Sequence, residues 1–418
     1  MHPGAAFDRR LQAGPANYPL AVRCGESSWT EFADRLAAFR ADRFVLVGDA
    51  AAPAEYVARI HALAAAQAPC TGVTLRPDAA PVLPSSSVLP SSSAADSSEP
   101  WDTSDSAEPE SRTVVIAVGG EQACRVPADL RLPTTLAAAC GPALALLRPP
   151  PGARSLPART APALVWARSD LLAARPAAET RAGMVTVIRH VLAVCPAQYE
   201  ALAAVLRPDA RYTPHAVAAC LALCADARAA LVGFDPFETG PALALDYGRS
   251  LGEAVRAAAD GAGHAVPAPG DAEALGLLLA AEIAVRLGLL GGSAAWAHRE
   301  LLARNGSATT LPGGADPLAA VPLAAAGTVS EAAAAAGGCS VASGFSDEAS
   351  AGLLADALAV AARPGLLLLA DLGYPHCLRG RLLTPVDAGV LRAAVGGPVP
   401  AALPHTRRPA AEPRPAGV

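Results

Sequence analysis

The 418-residue chain contains no lysine; each of its 33 basic residues is an arginine. Chemistry that needs a lysine amine, such as Schiff-base formation, is excluded. Every strong cation in the molecule is instead a guanidinium that stays charged. Aromatic residues make up only 4% and methionine occurs twice, so the core has to be built from Ala, Leu and Val. The hydrophobic share of 52% is still too high for a wholly disordered chain. The missing lysine and the wealth of Ala, Gly and Pro fit a GC-rich coding bias. The net charge of −5 gives no electrostatic footprint for nucleic acid.

Other absences narrow the class further. The nine cysteines are odd in number and none forms a CxxC pair. Cys220 and Cys224 lie four apart in an Ala/Leu pattern and read as small buried hydrophobes rather than ligands. The start, MHPGAAFDRRLQAG, lacks the apolar run of a secretory signal. The most apolar window, LGLLLAAEIAVRLGLL from Leu275, is broken by Glu282 and Arg286 and reads as a core helix. A cytoplasmic chain with no membrane and no nucleic-acid partner is expected.

The first segment alternates between strand and helix. YPLAVRCG, RFVLVGD and CTGVTL are strand-like; SWTEFADRLAAF and PAEYVARIHALAAAQ are helical. The first helix opens on a capping-box pattern, Ser28 to Glu31, and the second has proline near its start. This rhythm implies a parallel, Rossmann-like sheet. A Ser/Pro-rich, acidic stretch with a repeated VLPSSS cannot bury enough surface to order itself, and TVVIAVGG resumes the strand pattern after it. A second biased region covers about 305–344 and reads as a loop or weak helix. From about Ala167 the pattern is mostly helical, with GLLLLADLG as a late strand candidate. The expected fold is α/β plus α. A Rossmann-like domain spans 1–165 with a disordered insertion at 79–112, a mainly α-helical domain spans 166–404, and 405–418 is a disordered tail.

Three motifs stand out. Gly119 and Gly120 follow the strand TVVIAV, where backbone amides can approach a phosphate or simply form a βα turn. Pro133-Thr134-Thr135-Leu136 places two hydroxyls at a strand exit. In Tyr247-Gly248-Arg249-Ser250-Leu251-Gly252-Glu253, residues 249 and 253 share one helical face. That spacing suits two imidazoles on one metal, yet the residues are Arg and Glu.

Taken in order, the segments resemble the 3-dehydroquinate synthase family, the wider group of sugar phosphate cyclases. PTTL, ExxAGxxxVI, DxxETG and xxGxxxGxA occur in family order between about Tyr18 and Val395. The resemblance implies NAD in a cleft between two domains and a divalent metal, zinc or cobalt. The reaction it implies is a transient oxidation, phosphate elimination and carbocycle closure. The family's metal ligands are one Glu and two His. Carried over, those positions are Thr186, Arg249 and Pro269, with Glu253 at the place of a further catalytic His and His264 nearby. No metal is therefore expected to be held. The continuation DSSxGGK becomes Gly141, Pro142 and onward, and the DKK near the C-terminal end becomes Asp356-Ala357-Leu358. Arg189 and Arg228 match family lysines and read as phosphate grips or as ion-paired helix arginines. Glu238 matches the acid/base glutamate or is a turn carboxylate. Asp246 matches a substrate-contacting Asn.

Gly119, Gly120, Thr134 and Thr135 are the expected cofactor contacts. Glu121, an acid near a pyrophosphate, weakens the NAD expected there. The candidate catalytic set is Glu238, Arg189, Arg228 and Arg249, the last standing in for the metal as a clamp on an oxyanion. Two functions follow from the resemblance. One is an inactive homologue with a binding role, paired as a homodimer or as a heterodimer with an intact homologue. The other is a metal-free enzyme acting on a sugar phosphate in specialised metabolism.

Overall fold

The computed structural model describes residues 5–75, 112–147, 161–310, 348–363 and 365–395. Apart from Arg112, the expected insertion lies outside them, as do most of 305–344 and the expected tail.

A seven-stranded sheet carries the first half. Its strands are β1 (Phe7–Ala13), β2 (Ala16–Arg23), β3 (Arg43–Gly48), β4 (Cys70–Thr74), β5 (Thr113–Gly119), β6 (Leu130–Pro133) and β7 (Leu164–Arg168), in the order β1-β2-β7-β6-β5-β3-β4. All neighbours are parallel except β1 and β2, which form an antiparallel hairpin closed at Gly14 with φ of +57°. The sequence shows no strand pattern over β1. Its polar residues Asp8, Arg9 and Arg10 face solvent, and only Leu11 and Ala13 are buried, so the alternation that marks a strand is too short to see. β7 runs three residues beyond the boundary expected at 165.

Helices α1 (Ser28–Ala38) and α2 (Ala54–Ala65) cross between the first parallel strands. The capping box expected at Ser28 does not form. Ser27 precedes the helix without a side-chain cap, and Ser28 Oγ donates to the carbonyl of Gly25 at 2.7 Å. Glu31 instead accepts from Arg23 Nε at 2.6 Å, a charge-assisted bond that outcompetes a backbone amide. The few aromatics gather here: Phe32 lies 6.2 Å from Trp29 and 5.2 Å from Trp166, forming a second core on one sheet face. Short helices α3 (Glu121–Cys124) and α4 (Leu136–Cys140) leave β5 and β6.

After α5 (Ser169–Ala173) the chain turns helical through α6 (Ala177–Ala193), α7 (Tyr199–Val205), α8 (Pro214–Val232), α9 (Arg249–Gly261), α10 (Pro269–Arg286), α11 (Gly292–Arg304), α12 (Glu348–Ala361) and α13 (Ala388–Ala394). GLLLLADLG forms two short strands, β8 (Leu366–Leu367) and β9 (Leu369–Asp371). Cys220 and Cys224 are buried in α8, as their setting predicts. That helix is also long and apolar enough to cross a membrane by length and composition, but more than half of the stretch is buried in the fold. The window from Leu275 is the buried core helix α10, whose inward Glu282 is paired with Arg286 at 2.6 Å.

Glycines set how close the helices come. A Cβ on Gly276 would lie 2.2 Å from the carbonyl oxygen of Gly248 and 2.5 Å from the Gly252 nitrogen. A Cβ on Gly183 would lie 2.5 Å from Leu136, so α6 is pressed onto α4 of the sheet domain. The motif glycines thus dock α9 on α10 and one domain on the other.

Candidate functional site

The parallel strands reverse their direction of progress between β3 and β5. In a doubly wound sheet the crevice beyond the strand ends at such a point is where ligands bind. Gly48 of β3 is in register with Val118 of β5, so Asp49 and the pair Gly119-Gly120 emerge side by side. β6 delivers Thr134 and Thr135 next to them: the amide of Thr134 donates to the Gly119 carbonyl at 2.8 Å. The four expected cofactor residues are therefore brought together. Their polar groups are already in use. Thr134 Oγ1 donates to the Ala51 carbonyl at 3.1 Å, and Thr135 Oγ1 accepts from the Ala138 amide as the cap of α4. The Gly120 amide donates to Asp49 Oδ1 at 2.9 Å and Oδ2 at 3.0 Å, and the Ala123 amide donates to Oδ2 at 2.9 Å. A buried carboxylate occupies the amides that a cofactor pyrophosphate would need. As arranged, the loop does not fit that group.

The facing wall comes from the helical domain. α6 carries Thr186 and Arg189, the start of α9 carries Arg249, and the start of α10 carries Pro269 and Glu273. These elements converge: a Cβ on Gly270 would lie 2.4 Å from Ala182 on α6, and one on Gly252 would lie 2.6 Å from the Ala272 carbonyl. Arg189 Nη2 reaches Glu273 at 2.5 Å, with only 4% of its side chain exposed. Arg249, which follows the left-handed Gly248, lies 3.4 Å from Asp246, 3.3 Å from Glu253 and 3.9 Å from Glu121 across the cleft. Burial pulls the pKa of Arg249 down, but Asp246, Glu121, Glu273 and Glu253 outweigh it and raise it.

These residues do not fit a divalent metal. A threonine hydroxyl is a poor donor, proline has none, and a guanidinium repels the ion. Among the described residues no three His, Cys, Asp or Glu side chains come together to hold one.

Glu238 and Arg228 form the second buried pair, Oε1 to Nη1 at 2.6 Å. Glu238 holds φ of +48°, a strained backbone for a residue with a Cβ. Its turn is fixed by Asp235, which accepts from the amides of Gly240 and Ala242 at 2.9 Å each. Both α6 and α8 arginines matched to family lysines are thus ion-paired. His190, buried between them, is held well below its usual pKa by burial and then by Arg189 and Arg228.

Four contributors are not singled out by sequence reasoning. Asp49 was seen only as the end of RFVLVGD. Arg131, fully buried, donates to the carbonyls of Pro142, Ala143 and Ala145, and Tyr18 donates to that of Leu144 at 2.6 Å. Together they pin the apolar turn that stands where the family has DSSxGGK. The unusual arginine before PTTL was the available signal. Glu273 had none, because its role depends on α10 meeting α6.

Residues 183–325 match the 3-dehydroquinate synthase C-terminal family. The chain is 40% identical over 151 residues to a 2-deoxy-scyllo-inosose synthase of Streptomyces lividus, covering 36% of this chain and 38% of that protein. It is 32% identical over 192 residues to a 3-dehydroquinate synthase of Nostoc punctiforme, covering 45% and 52%. The matched stretch therefore spans about two fifths to half of these relatives. The fold likeness is wider. A crystal structure of 2-deoxy-scyllo-inosose synthase complexed with carbaglucose-6-phosphate, NAD+ and Co2+ superposes with a TM-score of 0.66 at 18% identity, over 93% of this chain and 99% of that one. A 2-epi-5-epi-valiolone synthase from Streptomyces hygroscopicus with NAD+ and Zn2+ bound gives 0.57 at 16% identity, over 91% and 96%. By sequence, residues 183–325 match the 3-dehydroquinate synthase C-terminal family, and over nearly its whole length the chain has the fold of the sugar phosphate cyclase structures it resembles.

Proposed function

We propose that this chain is a sugar phosphate cyclase homologue that no longer carries out metal-assisted cyclisation and keeps the fold for a binding role. The partner is a second copy of itself or an intact homologue. The observation that carries this reading is Arg249, a fixed cation ringed by the chain's own carboxylates at a position that the family resemblance gives to a metal ligand. Relatives of this fold have been seen with Co2+ or Zn2+ and NAD+; here the ligand positions hold Thr186, Arg249 and Pro269. With lysine absent as well, neither a metal-bound alkoxide nor an ammonium grip on phosphate is available. The reading is tested by incubating the purified chain with glucose 6-phosphate and with the 3-dehydroquinate synthase substrate, NAD and cobalt or zinc. No release of inorganic phosphate above background is expected. Release that rises with enzyme and metal would overturn it.

A second reading is favoured by the Glu238–Arg228 pair. A half-buried carboxylate on a strained backbone, matched to the family's acid/base glutamate, is the kind of group a metal-free sugar phosphate lyase would use. Arg189, Arg228 and Arg249 would grip phosphate and enolate oxygens after exchanging their carboxylate partners. In that case Glu238→Gln abolishes a measurable phosphate release, and an unchanged rate rejects the reading.

A further inference from the structure

We infer that Asp49 is an internal competitor for the phosphates of any dinucleotide entering the cleft, so that cofactor binding requires its carboxylate to leave the Gly119-Gly120 loop. The inference rests on the cofactor-cleft part of the proposed function. Both oxygens of the carboxylate are engaged by backbone. Oδ1 accepts from the amides of Ala51 at 3.0 Å and Gly120 at 2.9 Å; Oδ2 accepts from those of Ala123 at 2.9 Å and Gly120 at 3.0 Å. Amides converging on two oxygens from a glycine-rich turn are the donor set that binds a phosphate. The fit is close enough that a Cβ on Gly119 would lie 2.2 Å from Oδ1.

Asp49 as a whole residue is 8% exposed. Among the described residues no guanidinium pairs with it, so the amides alone compensate its charge. Glu121, the other acid on this loop, differs: it pairs with Arg125 at 3.0 Å and Arg249 at 3.9 Å. Asp49 is therefore the acid at the loop that no guanidinium neutralises, its charge being met by backbone amides. A pyrophosphate brought to the same amides meets both occupied donors and a like charge within a few ångströms. The contact depends on register. β3 and β5 pair so that Gly48 faces Val118, which sets the next residue of β3 against the next two of β5.

The test is calorimetric titration of the full chain and of Asp49→Asn and Asp49→Ala with NAD, ADP and adenosine. Removing the charge and then the side chain should tighten NAD and ADP in the order wild type, Asn, Ala, with the Ala variant gaining about tenfold or more, as loss of one competing charge-assisted bond implies. Adenosine, which carries no phosphate, should be unaffected. A cooperative melt shows that each variant is folded. If Asp49→Ala does not fold, Asp49→Asn carries the ordering alone. Variants that bind NAD and ADP no better than wild type, or worse, overturn the inference by making Asp49 an organiser of the loop. Phosphate release by the wild-type chain would reject the proposed loss of catalysis without touching this ordering.

Discussion

Arg189 on α6 and Glu273 on α10 meet at 2.5 Å, each about one helical turn beyond a position where the family's metal ligands are expected, Thr186 and Pro269. An ion pair closes the wall beside those positions. Arg189 has nowhere else to place its charge, since its other contact is the Leu245 carbonyl at 3.5 Å. Truncating one partner leaves a buried charge behind, which costs about 3–5 kcal/mol. Glu273→Ala should lose that much in a urea denaturation series, whereas Arg189→Met with Glu273→Leu together should be close to neutral.

A metal bound to the native state would raise its stability by about 2.7 kcal/mol at a hundredfold excess over the dissociation constant. With Thr186, Arg249 and Pro269 at the ligand positions, zinc or cobalt should leave the thermal midpoint unchanged. Elemental analysis of the purified chain should show well below one metal per chain.

Glu238 combines a helpful carboxylate with an unfavourable backbone, φ of +48°. Glu238→Ala loses the pair with Arg228 and keeps the strain. Glu238→Gly loses the pair and relieves it, so the glycine variant should be more stable than the alanine variant by about 1 kcal/mol in chemical denaturation. The opposite order would show that the surrounding turn imposes no strain.

His298 is buried with Nδ1 2.7 Å from the Ala294 carbonyl and Nε2 3.1 Å from the Tyr247 hydroxyl. A carbonyl only accepts, so the proton sits on Nδ1 and Tyr247 donates to Nε2. Burial pulls the pKa of His298 down to about 4, while an unfolded histidine titrates near 6.5. Between those values the unfolded state binds more protons, so the stability contribution is complete above about pH 6.5 and is lost as pH falls through 4. His298→Gln should flatten the acid side of the stability curve by about one proton, or ~1.4 kcal/mol per pH unit.

Gly276→Ala tests the close approach of α9 and α10. A new Cβ 2.2 Å from the Gly248 oxygen has only backbone to push against, so the two helices must separate. A loss of about 3 kcal/mol or more is expected in thermal melting, well beyond the cost of alanine on an exposed face.

Much of the architecture was legible because it is written locally. Apolar periodicity and turn residues mark β2 to β5 and helices α6, α8, α9 and α10. The motif glycines Gly252 and Gly276 mark the closest helix contact. What failed was also local in appearance. β1 is an edge strand whose first half is polar and exposed on both faces, and the capping box at Ser28 lost its glutamate to Arg23, a partner from another element.

The sequence by itself determined which donor groups are available. Lysine is missing altogether, and at the positions the resemblance gives to ligands Pro269 has no donor, Arg249 is a fixed cation and Thr186 offers only a weak hydroxyl, whatever the fold. The tertiary structure alone decided what took their place. Arg189 finds Glu273, Arg228 finds Glu238, and Asp49 finds the amides after β5, in each case because packing or strand register brings together residues distant in the chain. A charge's partner depends on distance and burial, and those are set by the fold.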